Sequence, residues 1–268
     1  MKPTLPFFSA VLLALTGGGT PVEVAAHGEL DEVQLAEFHL YLDDFRDEVN
    51  DLVAEVEPIV QAQVAGEDAG PMIEAFIEHW EEVDVHGAIE TRATVTYPTV
   101  WQANVSLQLA VAADRSDADV AAAGEFVKAA LWQGFGAVRL AASQVTSGTG
   151  TAAATTDPPA SGPETVEQIL ADLDAAVAAY QAGNLQRAEQ LIHQTYMTRF
   201  EGLEGDLIEQ DPELVSSLEK DFNANLPLLM QQGADRARVQ AQLEAMTRQL
   251  ETASQLLEQV ERERSEVF

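Results

Sequence analysis

Apolar residues recur every three or four positions along most of this chain, and this spacing restricts its fold more than any other feature. It predicts helices whose apolar faces pack together. Near the C-terminus the spacing alternates between four and three residues, which indicates a long helix with a heptad seam. The seam consists of Val239, Leu243, Met246, Leu250, Ala253, Leu257 and Val260. The only strand-like stretch, "TRATVTYP", is short. We therefore predict an all-α fold.

A stretch rich in Thr, Ala, Gly, Ser and Pro divides the chain at residues 146–163 and reads as a flexible linker. Proline and capping residues mark the helix starts on either side. Pro71 and the pair Asp211 and Pro212 occupy such positions. Four helices are predicted in each half. Those of the first half cover residues 29–60, 71–92, 100–113 and 119–143. Those of the second half cover residues 164–181 and 185–209, a stretch that starts at 211, and residues 235–260.

The two halves share an order of helices that suggests tandem duplication. A shift of 114 residues aligns His79 with His193, and it aligns Glu90 with Glu204. We predict two consecutive antiparallel four-helix units, residues 27–145 and 164–268, joined by the linker. The glycines of "WQGFG" (Trp132–Gly136) lie within a predicted helix and indicate close packing against a neighbouring helix.

The N-terminus resembles a secretory signal. Lys2 precedes the apolar stretch "LPFFSAVLLAL", and small residues lead to a cleavage site after Ala26. Residues 1–26 are therefore expected to be removed, leaving His27 as the first residue of a periplasmic or otherwise secreted protein. No later stretch reaches about 18 consecutive apolar residues, so no membrane insertion is expected after signal removal.

Charge restricts the partners of this chain. It has 45 acidic and 14 basic residues, a formal net charge of −31, and no cysteine. Nucleic acid and anionic membrane surfaces are poor partners for such a chain, because phosphate binding needs clustered Lys and Arg. Cations or a basic protein fit better, although adaptation to high salt produces the same composition. Disulfides and thiolate metal sites are excluded.

The stretch "IEHWEEVDVHGAIE" (Ile77–Glu90) carries two of the five histidines. Four of its side chains follow at spacings of three, four and four residues: His79, Glu82, His86 and Glu90. One continuous helix would place all four on a single stripe. Imidazole with carboxylate suits iron, copper, zinc or manganese, and a second helix must complete the site. The alternative is a solvated helix face with packed or hydrogen-bonded histidines.

A second stripe lies in "IHQTYMTRFEGLEGD" (Ile192–Asp206). Its members are His193, Met197, Glu201 and Glu204, with Tyr196 beside them. The two carboxylates form an E-x-x-E pair that can hold a hard cation, and tyrosine with glutamate and histidine favours ferric iron. Methionine with histidine would favour copper, the alternative cofactor. The competing interpretation is that the methionine packs in the core and the carboxylates face solvent.

Weaker candidates are His39 with Asp43, one helical turn apart, and the amine and imidazole of His27 as a copper chelator. The chain lacks an E-x-x-H pair, an H-E-x-x-H motif and a phosphate-binding glycine loop. No nucleophile or acid–base set stands out. We therefore do not expect an enzyme.

The segment Ala179–Phe222 combines an "AG" helix break, an aromatic residue before "FEGLE", and a "DPEL" helix start. It resembles the helical extracytoplasmic domain that precedes the membrane part of bacterial Ftr-type high-affinity iron permeases. "IETRATVTYPTVW" in the first half is similar to the other half of that domain. The resemblance implies periplasmic iron handling, with Glu90, Glu201 and Glu204 as iron-contacting residues. The chain departs from the permease Arg-Glu-x-x-Glu motif, because Phe200 separates its arginine from the glutamate.

These features predict an exported accessory protein that captures or delivers iron alongside a membrane permease. The alternative is a helical interaction module that docks a membrane partner, especially through the C-terminal seam helix. The two differ in one respect. A metal site needs its histidines and glutamates to converge with another helix, whereas an interaction module would splay them on an open surface.

Overall fold

The computed structural model describes residues 32–146 and 161–267 of the chain. The predicted signal peptide, His27 and residues 147–160 of the predicted linker lie outside the described residues. Helices dominate the described ranges, which contain no strand. The all-α prediction is therefore confirmed, and the strand-like "TRATVTYP" leads through a turn into the helix that starts at Tyr97.

The helices follow one another with short connections. Those of the first half are α1 (Glu32–Glu37), a 3₁₀ turn (Phe38–Leu40), α2 (Leu42–Val64), α3 (Gly70–Glu82), α4 (Asp84–Arg92), α5 (Tyr97–Ala112) and α6 (Asp117–Thr146). Those of the second half are α7 (Gly162–Gln181), α8 (Leu185–Thr195), a π-helical segment (Tyr196–Phe200), α9 (Glu201–Ile208), α10 (Pro212–Lys220), a second π-helical segment (Asp221–Asn225), α11 (Leu226–Gln231) and α12 (Arg236–Val267).

Some helix bounds repeat along the chain. Shifting α3 by 114 residues gives 184–196, and α8 is Leu185–Thr195. The same shift moves the start of α5 from 97 to 211, beside the start of α10 at Pro212. The same shift moves α2 to 156–178 and α6 to 231–260, whereas α7 is Gly162–Gln181 and α12 is Arg236–Val267. The helices follow in a similar order in both halves, but α5 has 16 residues and α10 has 9, and the duplication stays a prediction.

The two halves are packed against each other. One cluster of buried apolar side chains includes residues of both, from Phe38 to Leu257. α5 contacts the π-helical segment Asp221–Asn225, and the Gln102 side-chain amide donates to the Asn223 carbonyl oxygen at 3.3 Å. The halves therefore share a core rather than forming separate ones.

Two local predictions for the second half are confirmed. All seven apolar positions of the α12 seam are buried, and α12 packs against α7. The Asp211 carboxylate caps α10 by accepting a hydrogen bond of 3.0 Å from the Leu214 backbone amide, with Pro212 in the first turn. Both features depend on local sequence, which explains why the sequence is sufficient to find them.

The prediction of one helix over residues 71–92 is wrong. α3 ends at Glu82, and Val83 has an extended backbone with ψ 145° before α4 begins. The Glu48 carboxylate accepts a hydrogen bond of 2.8 Å from the Val85 amide in the first turn of α4. Every residue from Val85 to Glu90 is buried, so α4 is surrounded by other helices. α3 keeps one face exposed, whereas α4 is buried on all sides. A single straight helix would carry the exposed face of α3 on into α4, so the chain must break between them.

Candidate metal centre

Three potential ligands meet in the interior between the halves. His86 and Glu90 project from α4, and Glu219 projects from α10. One ligand atom of each lies within 4.8 Å of the others. The three residues are 3 %, 8 % and 4 % exposed, respectively. An imidazole and two carboxylates at this separation can share one cation.

Two tyrosines hydrogen-bond to these ligands. The Tyr196 hydroxyl donates to Glu90 Oε1 and also approaches Glu219 Oε1 at 3.3 Å. His86 Nε2 and Tyr97 Oη share a hydrogen bond of 2.7 Å. Both phenols are completely buried. They hold ligands from α4 and α10 in place, as residues around a metal ligand commonly do.

Aromatic rings enclose the ligands. The Trp80 ring stacks on His86 with centroids 4.7 Å apart, and Trp101 meets the same imidazole edge-on at 6.4 Å. Phe200 and Phe222 each lie 5.9 Å from the Tyr196 ring. These rings keep water away, and charges inside the enclosure therefore act on one another strongly.

A third buried glutamate belongs to the same group. Glu204 on α9 is 5 % exposed; burial is the largest cause that raises the pKa of Tyr196 and of Glu219, and the charge of Glu204 is the next. We call His86, Glu90, Tyr97, Tyr196, Glu204 and Glu219 the central polar cluster. Three carboxyl groups and one imidazole therefore share an apolar enclosure.

Burial and mutual repulsion disfavour negative charge in the central polar cluster. Burial is the largest cause that raises the pKa of Glu219 well above its usual range, followed by the charges of Glu204 and Glu90. The same causes raise the pKa of Tyr196. Without a cation, protons must neutralise these carboxyl groups, because isolated buried charges are costly. A bound cation would replace those protons.

An oxygen of the Glu219 carboxyl group has no hydrogen-bond partner among the described residues. Glu219 Oε2 is buried, and no hydrogen-bond donor in the described ranges reaches it. Leaving such an atom without a partner costs free energy, so an unmet acceptor in a folded protein needs an explanation. It belongs to one of the three residues whose ligand atoms meet within 4.8 Å, and it is therefore an available ligand atom.

Irregular helix geometry accompanies the cluster in the second half. The segment Tyr196–Phe200 is π-helical, and so is Asp221–Asn225, which directly follows Glu219. The Asn223 side-chain amide donates to the Glu219 carbonyl oxygen at 3.0 Å, which satisfies a backbone acceptor where the hydrogen-bond register changes. Single π turns inside α-helices are frequent at functional sites.

Three of the residues predicted from the stripes lie together. His86, Glu90 and Glu204 all belong to the central polar cluster, and Tyr196 joins them. Besides burial, the charges of Glu204 and Glu90, which a shift of 114 residues aligns, both raise the pKa of Tyr196 and of Glu219.

The other four predicted residues lie elsewhere. His79 is half-buried, and its Nδ1 is 2.8 Å from Glu55 Oε1. Glu82 is exposed at the end of α3. His193 and Glu201 are half-buried, and burial lowers the pKa of the former and raises that of the latter. The break at Val83 separates the first two from His86, so the predicted single stripe does not exist.

The weaker candidates do not join the cluster either. The Asp43 carboxylate is exposed and pairs with Arg46 at 2.7 Å, while His39 is half-buried. Met197 is partly buried against the apolar core, which agrees with the packing alternative. His27 lies outside the described residues.

Glu219 and Tyr97 are the cluster residues that the stripes did not predict. Glu219 lies on an apolar helix face, four residues after Val215 and three before Phe222, both of which are buried. A carboxylate in such a stripe is the signal that could have found it, because glutamate is rarely buried without a partner. The duplication gives no help, since the residue 114 positions before Glu219 is Val105.

Comparison with protein-family profiles, with curated proteins and with solved structures finds no match to this chain. The resemblance to the extracytoplasmic domain of iron permeases therefore stays a prediction.

Within residues 32–146 and 161–267, no helix has the length and apolar character that a bilayer span requires.

Proposed function

We propose that this chain binds a transition-metal cation through His86, Glu90 and Glu219, with Glu204 in the same enclosure. The observation that supports it best is the meeting of three buried ligand atoms within 4.8 Å. The unpartnered Glu219 Oε2 is an independent second observation. A cation would compensate the buried carboxylates that otherwise need protons.

Iron is the metal that we propose for this site. Mg²⁺ and Ca²⁺ prefer oxygen ligands, so the imidazole of His86 disfavours them. The two or three carboxylates favour a harder ion than Cu⁺. Manganese and zinc are the competitors with the same ligand preferences. Met197, the methionine considered as a copper ligand, is partly buried against the apolar core, which gives copper no specific support.

The proposed physiological role is capture or delivery of iron by an exported accessory protein, beside a permease. Glu90 and Glu204, two of the three glutamates implied by the permease resemblance, lie in the central polar cluster. The strongly acidic surface would concentrate cations around the protein. The alternative is a helical module that docks a membrane partner, especially through the α12 seam; the seven seam positions are buried, which leaves its other helical faces as the docking candidates.

The test is equilibrium metal binding by the purified protein. Metal-free protein from His27 onward would be titrated with Fe²⁺ without oxygen, and separately with Mn²⁺, Zn²⁺ and Cu²⁺. We expect saturable Fe²⁺ binding that weakens about 100-fold or more in His86→Ala and in Glu219→Gln, since each loses a ligand of a buried cation.

Matched controls come from the stripes themselves. His79→Ala and Glu201→Gln alter the same residue types outside the cluster, and they should bind Fe²⁺ as the wild-type protein does. Equal losses in these controls would contradict the assignment of the site. Absence of saturable binding by the wild-type protein would make the cluster a protonated, hydrogen-bonded part of the core.

A further inference from the structure

A buried carboxylate outside the central polar cluster lies where α3 meets α10, a contact that we call the α3–α10 seam. Glu81 is 7 % exposed, and its Oε1 accepts a hydrogen bond of 2.7 Å from the Ser216 hydroxyl. No lysine or arginine in the described ranges forms an ion pair with it. Glutamate is rarely buried to this extent unless it is paired. Its burial therefore calls for another explanation.

Glu81 adjoins the cluster along both helices of the seam. On α3 it follows Trp80, whose ring stacks on His86. On α10 its partner Ser216 precedes Glu219 by three residues, so the two lie on the same helix face. Burial is the largest cause of the raised pKa of Glu219, and the charge of Glu81 raises it further, after those of Glu204 and Glu90.

On its other side Glu81 approaches the acidic surface. Glu78 is exposed three residues before Glu81 on the same helix; burial is the largest cause that raises the pKa of Glu81, and the charge of Glu78 raises it further. Lys220 is half-buried on α10, and Glu81 and Lys220 attract each other. Negative charge therefore leads from the surface to the cluster, with one positive charge beside the path.

We propose that cations reach the metal centre along the α3–α10 seam, with Glu81 as a transient ligand between solvent and Glu219. This proposal rests on the proposed metal-binding function. A cation that leaves water for an apolar interior needs an oxygen ligand at each step, because bare charge in such surroundings is costly. Glu81 supplies that oxygen, Ser216 holds its carboxylate in position, and Lys220 repels every entering cation, which limits the rate of entry.

The test is the rate of Fe²⁺ binding and release, measured by stopped-flow tryptophan fluorescence without oxygen. Trp80 reports on the site because it stacks on His86. Glu81→Gln should slow association and dissociation by about 10-fold each and leave the Kd within about 3-fold, since a path changes both rates equally. Lys220→Gln should speed association, because it removes a repulsive charge.

Glu82→Gln is the matched control, since it removes the same charge from the next, exposed residue. Its rates should stay within about 2-fold of the wild-type rates. Ser216→Ala should slow binding less than Glu81→Gln does, without removing a charge. Equal rates in Glu81→Gln and Glu82→Gln would overturn the route. Loss of equilibrium binding in Glu81→Gln would make Glu81 a ligand and overturn it too. If the wild-type protein does not bind Fe²⁺, the proposed metal centre is wrong, and the proposed route is wrong with it.

Discussion

At the scale of single residues, Glu219 decides how the central polar cluster behaves. It is the carboxyl group with an oxygen that lacks a partner among the described residues, and its neighbours Glu90 and Glu204 repel its charge. Without a cation, the neutral form is favoured in the folded protein. With a cation, the ionised form is required. The residue therefore links stability, metal binding and pH.

The stability of the metal-free protein should fall as pH rises above about 4.5, the ordinary pKa of a glutamate in the unfolded chain. The folded pKa of Glu219 is raised, so the folded state keeps a proton that the unfolded state loses. The stabilisation is complete below the unfolded pKa and disappears as pH passes the folded pKa. Glu219→Gln should reduce the slope of the free energy of unfolding against pH by up to about 1.4 kcal/mol per pH unit. Urea unfolding between about pH 5 and 8 measures it.

The exposed Glu82→Gln serves as the control for a simple loss of charge, and it should keep the wild-type pH dependence. Parallel stability curves for the wild-type protein and Glu219→Gln would show that the two states bind equal numbers of protons at this position. With saturating Fe²⁺ the sign should reverse, because protons then compete with the cation.

At the scale of helices, close contact between α4 and α6 positions Glu90. Gly134 on α6 is buried, and a Cβ built on it would lie 2.6 Å from Ile89 Cδ1 and 3.1 Å from Ile89 Cγ1. Ile89 precedes the proposed ligand Glu90 on α4. The glycine therefore allows α4 to approach α6, as the small residues of "WQGFG" predicted.

Gly134→Ala should lower stability and weaken Fe²⁺ binding, because the added methyl group displaces Ile89 and with it α4. Gly136→Ala is the control from the same stretch: nothing in the described part of the chain lies within 4 Å of the added Cβ. Alanine there should raise stability by up to about 1 kcal/mol through helix propensity. The free energy of unfolding of Gly134→Ala, measured with urea, should be about 1–3 kcal/mol lower than that of Gly136→Ala. Equal stabilities would show that Ile89 repacks without cost.

At the scale of the whole molecule, the proposed cation would join the two halves. Its ligands come from α4 in the first half and from α10 in the second. The halves already share one apolar core, and the contact of α5 with Asp221–Asn225 lies beside the site. Binding should therefore stabilise both halves together rather than one of them.

Hydrogen exchange measures this coupling. At an Fe²⁺ concentration about 100 times the Kd, the cation should add about 2.7 kcal/mol of stability, which slows exchange through large-scale opening by about 100-fold. Amides of α4 and α10 should both gain this protection, and neither should gain it in Glu219→Gln. Protection confined to α4 would contradict a site that joins the halves.

Local sequence predicted the helices well and the site incompletely, for related reasons. The α12 seam and the Asp211 cap follow from residues a few positions apart, and both are confirmed. The break at Val83 depends on the burial of α4 on all its faces, which no local pattern expresses. His79 and Glu82 were therefore grouped with His86 on a stripe that does not form.

The sequence by itself determined the all-α class and most helix bounds, because helical periodicity and capping act over a few neighbouring positions. Only the tertiary structure decided which polar residues meet. His86 and Glu219 are far apart in the chain, and they come together because the halves pack through α5 and the π-helical segment after α10. Burial then decides their chemistry, since the pKa of Glu219 depends on the enclosure rather than on its neighbours in sequence.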